Sequence, residues 1–253
     1  MSTRAIVPVK LSLTEGDFYT LWAPKWRQNG SEWQAFLGDD EAVLAFNSPA
    51  ELLCFVESGT KHDLLDHPQW DQFAGRDADR VTPAERDEYD LIGMPEALAG
   101  RPSHRNVSTV ARNLEMASAL ADVAGAEHTT IFFASHSILR NVSRGADHYS
   151  GEQGMSEWSG VGHVIAGNWK KVIEDLDEHV RVVSSDDFDA AKVSDAKERI
   201  SSAAAASAAA AKEAEEKRKA AAEAADPYDN SPWAAAGIDP IKITAQSKSV
   251  YTL

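Results

Sequence analysis

His62-Asp63-Leu64-Leu65-Asp66-His67 places two imidazoles and two carboxylates within six residues. On a helix, Asp63 and His67 would share one face at i,i+4, and His62 and Asp66 another. Hard or borderline divalent metals use such ligands, and a metal-dependent enzyme or hydrolase would follow from an occupied site. The spacing matches no established metal motif, and Pro68 closes the segment. A solvated, capped turn therefore accommodates the same four residues, and neither a metal nor a cofactor is expected from them. Ser135-His136-Ser137 sets hydroxyls beside an imidazole, but sequence neighbours form a nucleophile–base pair only when the fold turns them toward each other. His148-Tyr149-Ser150-Gly151-Glu152 lacks the first glycine of a nucleophile elbow. Gly160-Val161-Gly162 lacks the third glycine of a dinucleotide loop, and no phosphate-binding G-x-x-x-x-G-K-[ST] occurs. Cys54 falls on an apolar helix face and reads as a buried, inert thiol. These patterns name no catalytic residue.

The aromatic residues point elsewhere. Trp22, Trp26 and Trp33 crowd into the first part of the chain with Phe18, Tyr19 and Phe36. Most belong in a core. Any left exposed beside acidic residues would form a surface for apolar segments of a partner, which makes Trp22, Trp26 and Trp33 the partner-binding candidates.

The elements that must position these residues read as an α+β domain, an N-terminal antiparallel β-meander packed against a helical layer. Val7 to Leu13 alternates apolar and polar residues, the period of a half-buried strand. Phe18–Trp22, Trp33–Leu37 and Ala42–Phe46 continue the meander, with turns at Glu15-Gly16-Asp17, Asn29-Gly30 and Gly38-Asp39-Asp40. Ser48-Pro49-Ala50-Glu51 has the serine cap, the proline and the glutamate of a helix start, and Thr82-Pro83-Ala84-Glu85 repeats the pattern. A polar connection, His62 to Arg80, lies between them. Ser103 to Val123 forms a helix stopped by Gly125, and Ile131 to Val142 is helical or, through Phe132-Phe133, a buried strand. Trp158, Val161, Ile165, Trp169, Val172, Leu176 and Val180 recur every three or four residues and predict a helix over Ser156–Val180 after a glycine-containing loop, Asp147–Gly154.

Composition changes after Val183. The α+β domain is expected over residues 1–183, followed by an Ala/Glu/Lys-rich linker over 184–232. Within it Ser201 to Ala225 is nearly all Ala, Lys, Glu and Arg; Glu213–Lys217 and Glu215–Lys219 are favourable helical pairs, yet this stretch has no large apolar face. It is either a semi-rigid helical spacer or a disordered tail.

The net charge of −15 repels phosphate backbones and acidic lipid, so neither nucleic acid nor membrane insertion is expected. No stretch of ~20 apolar residues exists. One cysteine and no apolar leader place the chain in the cytoplasm.

The end of the chain resembles its beginning. Pro8-Val9-Lys10-Leu11-Ser12-Leu13 and Phe18-Tyr19-Thr20-Leu21 correspond without a gap to Pro240-Ile241-Lys242-Ile243-Thr244-Ala245 and Val250-Tyr251-Thr252-Leu253. Residues 233–253 then open a second, related domain that the chain truncates; chance similarity of two hairpins is the alternative, and a lone hairpin is marginally stable.

Tyr19-Thr20-Leu21-Trp22-Ala23-Pro24-Lys25-Trp26, Trp33-Gln34-Ala35-Phe36-Leu37-Gly38, Asn47-Ser48-Pro49-Ala50-Glu51-Leu52 and Asp63-Leu64-Leu65-Asp66-His67-Pro68 resemble an actinobacterial family loosely labelled primosomal. The mycobacterial export chaperone of the accessory SecA pathway is its characterised relative. That resemblance implies an N-terminal domain, a flexible linker and a C-terminal substrate-protecting domain, with this chain supplying the first two and the opening of the third. It carries no site residue over, and the DNA work implied by the primosomal label conflicts with the acidic charge. The expected function is a non-enzymatic protein-binding domain, a cytosolic chaperone or adaptor for export, with protein clients as partners. The alternatives are a hydrolase or metal-dependent enzyme and a structural scaffold of the cell envelope or division machinery.

Overall fold

The strand-period alternation of the first residues is realised as expected. Val7–Leu13 (β1) pairs antiparallel with Gly16–Gln28 (β2), and β2 with Ser31–Phe36 (β3), with a register break between Ala23 and Trp26. This computed structural model describes residues 6–28, 30–39, 41–224, 241–245 and 248–252. After β3 come Val43–Ala45 (β4), Pro49–Glu57 (α1), Trp70–Ala74 (α2), Glu88–Asp90 (β5), Met94–Ala99 (α3), His104–Ala124 (α4) and Glu127–Ser135 (α5). Gly151–His179 (α6), Val180–Val182 (β6) and Ala190–Ala224 (α7) follow. Contacts divide the chain into two units, Met1–Ala203 and Ala204–Leu253.

In the first unit the main sheet runs β3-β2-β1-β5, with β5 added parallel to β1. Because side chains alternate across a strand, the sheet separates two cores. Val9, Leu11, Leu13, Phe18, Trp22 and Phe36 face Val110 and Leu114 of α4 and Val161, Ile165, Trp169 and Val172 of α6. Leu21, Ala23 and Leu37 face the other way, onto Leu52, Leu53 and Phe55 of α1 and onto Leu64, Trp70, Phe73 and Val81. Helices therefore cover both faces, where a single helical layer was expected.

Three elements depart from the sequence expectation. Ala42–Phe46 does not become a further antiparallel strand of the meander. Val43, Leu44 and Ala45 pair in parallel with Val180, Arg181 and Val182. The segment meets the main sheet through bridges, Tyr19 to Phe46 and Gly38 to Val43, and through the Thr20 hydroxyl, which donates to the Leu44 carbonyl at 2.7 Å. Thr82-Pro83-Ala84-Glu85 yields no helix but a 3-10 turn over Glu85–Asp87, because β5 begins at once and buries Tyr89 against β1. The Phe132-Phe133 region is helical, and a 3-10 stretch over Ser137–Arg144 follows it.

The Ser48 cap and the Gly125 stop behave as read. Ser48 accepts the Glu51 N–H at 3.3 Å, and the Glu51 carboxylate turns back to accept the Asn47 N–H at 2.9 Å. Ser103 and Asn106 form a capping box on α4, which ends at Gly125 with φ 74°. Only a residue tolerant of the left-handed region closes the helix there. Helix α6 begins at Gly151, earlier than expected, and buries Trp158, Val161, Ile165, Trp169, Val172 and Leu176.

The composition shift after Val183 does not coincide with the end of the first unit. Val193, Ala196, Ile200 and Ala203 form a narrow apolar stripe on the start of α7 and pack on the second core. Arg199 locks that contact with two hydrogen bonds to Glu57, at 2.8 and 2.7 Å, and the buried Arg80 guanidinium reaches the same carboxylate at 3.1 Å. The two arginines hold the Glu57 carboxyl below its ordinary range, the Arg199 hydrogen bonds being the larger cause.

In the second unit the remainder of α7 carries the expected ion pairs, Glu213–Lys217 at 2.6 Å and Glu215–Lys219 at 2.7 Å. Ile241–Ala245 (β7) and Lys248–Thr252 (β8) form a hairpin. Its pairs run from Ile241 with Thr252 to Ala245 with Lys248, and those of β1 and β2 include Val9 with Thr20 to Leu13 with Gly16. Every pair of the later hairpin thus lies 232 residues beyond a pair of the earlier one. Residues 225–240, 246, 247 and 253 lie outside the described residues.

Candidate functional site

The four residues of the His62–His67 segment do not converge. Asp63–Asp66 is a 3-10 turn, with about three residues per turn, so the i,i+4 faces of an α-helix never form. His62 is buried edge-on against Trp70, centroids 4.4 Å apart, and His67 is buried edge-on against Trp26 at 4.5 Å. Burial lowers the pKa of both imidazoles. Asp63 and Asp66 point outward. Among the described residues, no three His, Cys, Asp or Glu side chains are grouped to hold a metal.

The other chemical candidates are spent on structure. His136 Nδ1 lies 2.9 Å from the Phe132 carbonyl at the end of α5, away from the flanking hydroxyls. Cys54 is half-buried in α1, where burial pushes its thiol pKa up. His148 Nε2 stands 3.1 Å from Glu157, whose carboxylate also accepts from Asn141 Nδ2 at 2.5 Å. Tyr149 beside them is wholly buried against Trp158, and burial, then the Glu157 charge, raises its phenol to about 12.

The partner candidates separate. Trp22 is only 8% exposed and stacks on Phe36 in the first core. Trp26 and Trp33 are cross-strand partners beyond the register break. Trp33 is 54% exposed. They share a groove of about 400 Å³ with Ala35, Asp63, Asp66 and His67. The fold thus unites two groups of residues, the tryptophans and the histidine–aspartate segment, that lie some distance apart in the chain.

A larger groove, of about 730 Å³, escaped the sequence reading. Its floor is Leu114 of α4 with Leu139 and Val142 of the following 3-10 stretch, and half-buried Phe133 of α5 forms a wall. Glu115, Arg140 and Ser143 rim it in water. Arg112 is held in place, donating from Nη2 to the Glu88 carbonyl at 2.8 Å and lying over the Tyr89 ring at 5.4 Å. Helix α5 can offer Phe133 because it has no single apolar stripe: Phe132 is buried, Phe133 half-buried, and Ile131 55% exposed. Its N-terminus is anchored from outside. Ala126 supplies no cap, and Asp175 of α6 accepts both the Thr129 N–H, at 2.8 Å, and its hydroxyl, at 2.7 Å. The sequence signal was the Ile131-Phe132-Phe133 run without a matching polar face.

The first unit is therefore an α+β domain whose larger open groove is floored by aliphatic side chains and whose smaller one is lined by tryptophan. The chain belongs to the SatS C-terminal domain family, whose sequence profile matches residues 6–177. A solved structure titled as the SatS C-terminal domain in complex with bromine is similar over 70% of this chain and 94% of that one, at 16% identity and a TM-score of 0.49. No curated protein matches the chain. Membership supports the export-chaperone side of the resemblance and corrects its placement. The profile that matches residues 6–177 is that of the relative's C-terminal domain, where its N-terminal one was implied. Nothing in it supports the primosomal label. Among the described residues, no helix is long and apolar enough to cross a membrane.

Proposed function

We propose that this domain is a non-catalytic, cytoplasmic holding chaperone for proteins bound for export, and that it grips apolar segments of an unfolded client in the groove between α4 and α5. The observation that carries the reading is that groove: buried Leu114, Leu139 and Val142 beneath half-buried Phe133, open to solvent, on a chain of the SatS C-terminal domain family. Apolar clefts edged by polar groups suit non-polar polypeptide. A net charge of −15 keeps a complex with such a client dispersed and opposes binding to nucleic acid.

Residues 233–253 belong, in this reading, to a second domain related to the first, carried on the alanine-rich helix. The matched sequence and the identical hairpin register support it. Two such modules on one spacer would hold a long client with raised effective concentration.

Light scattering by an aggregating, heat-unfolded client tests the chaperone reading. The full chain at molar excess suppresses the scattering. Phe133→Glu, with its melting temperature intact, loses most of the suppression. No protection by the natural sequence, or equal protection by both, would overturn the assignment.

A further inference from the structure

The second groove lies at the outer edge of the main sheet, on the face of the second core. Strand β3 ends the sheet, and its Trp33 stands directly across from Trp26 of β2. The turn Asp63–Asp66 closes the other side. Gly38 makes room for it: a Cβ there would lie 3.1 Å from an Asp63 carboxylate oxygen, and the Gly38 carbonyl accepts the Asp63 N–H at 2.9 Å. Asp66 is exposed, and among the described residues its carboxylate has no hydrogen bond or ion pair. His67 forms the floor, its Nδ1 accepting the Gln69 N–H at 3.1 Å. Among the described residues, no lysine or arginine lines the groove. The cations of this hairpin, Lys25 and Arg27, alternate onto the opposite face, where they lie 3.9 and 4.0 Å from Glu32.

We propose that this groove receives the cationic side chain, guanidinium above all, of an extended peptide segment running along β3. Two indole faces attract a cation through their quadrupoles, and a planar guanidinium stacks on them better than an ammonium does. The unpaired Asp66 carboxylate neutralises the charge, with Asp63 beside it. An end strand leaves backbone groups available to align such a segment. The site is independent of the α4–α5 groove and asks for the opposite chemistry, a charge instead of an apolar side chain.

Calorimetric titration of the full chain with acetylated, amidated Ala-Arg-Ala-Arg-Ala and with Ala-Gln-Ala-Gln-Ala decides it. The arginine peptide binds, and the glutamine peptide binds at least about tenfold more weakly. Trp33→Ala and Asp66→Asn, both at exposed positions, each weaken the arginine peptide about tenfold, while Trp33→Phe keeps part of the affinity. Asp122→Asn, which changes an exposed carboxylate on α4, leaves it unchanged. Equal affinity for the two peptides, no binding by the natural sequence, or the same loss from Asp122→Asn as from Asp66→Asn would refute the proposal. The last result would assign the attraction to the diffuse charge of −15. Phe133→Glu leaves this titration unaltered, so failure of the chaperone reading and failure of this one give different results.

Discussion

Asp175 does for α5 what a serine or aspartate usually does from within a helix's own sequence. It crosses from α6 to accept the Thr129 N–H and hydroxyl, at 2.8 and 2.7 Å. Asp175→Ala should cost about 1–2 kcal/mol in urea unfolding, the usual value of a lost cap, and should loosen the helix that presents Phe133. No local pattern reveals a cap donated from forty-odd residues away, whereas the cap at Ser48 was legible because both partners lie within one turn. The two buried histidines set a pH dependence. Burial holds His62 and His67 below their ordinary value of 6.5, so the folded state binds fewer protons than the unfolded chain as acidity rises. Their contribution is complete above about pH 6.5 and is lost as the pH falls below it, toward the depressed folded values. The melting temperature should therefore begin to drop as the pH falls below about 6.5, before the Glu57 carboxylate titrates. His62→Phe, which keeps a ring against Phe55 and Trp70, should lessen the drop. The residues of the tryptophan groove were visible as separate candidates. Their union was not, because it depends on a 3-10 turn docking beside β3, which residue spacing does not encode.

Helix α6 shows how an element is placed by what it lacks. A Cβ at Gly154 would meet the Tyr149 backbone at 2.4–2.7 Å, so the first turn of the helix can close on the preceding 3-10 turn only as glycine. At Gly162 and Gly167, farther along the same helix, a Cβ meets nothing within 4 Å. Gly154→Ala should thus destabilise the domain by about 2 kcal/mol or more, and Gly162→Ala should stabilise it by about 0.5–1 kcal/mol. Opposite shifts in the denaturant midpoint would establish the difference. The stripe from Trp158 to Leu176 made this helix readable from sequence, since a repeat of three and four has one structural solution. Strand β4 was readable as a strand but not as a partner of β6. Three residues carry no information about which edge they join, and the parallel partner lies at the far end of α6. Helix α7 docks through residues that precede the alanine-dominated stretch from Ser201: Val193, Ala196 and Ile200 suffice, with Ala203, once Arg199 pairs with Glu57.

Taken whole, the first unit is a sheet clad on both faces, with its main apolar opening on the α4–α5 side and a tryptophan–carboxylate opening on the other. The acidic excess and the fold class were accessible from composition and spacing; the apolar opening was not, because it forms among three segments that are each unremarkable alone. Hydrogen–deuterium exchange on the full chain, with and without an unfolded client protein, measures the central claim most directly. The account predicts new protection in peptides spanning residues 111–118 and 133–143, and little change in β1 or in the exposed part of α7. Protection absent from both of those segments, or confined to regions outside the groove, would contradict it.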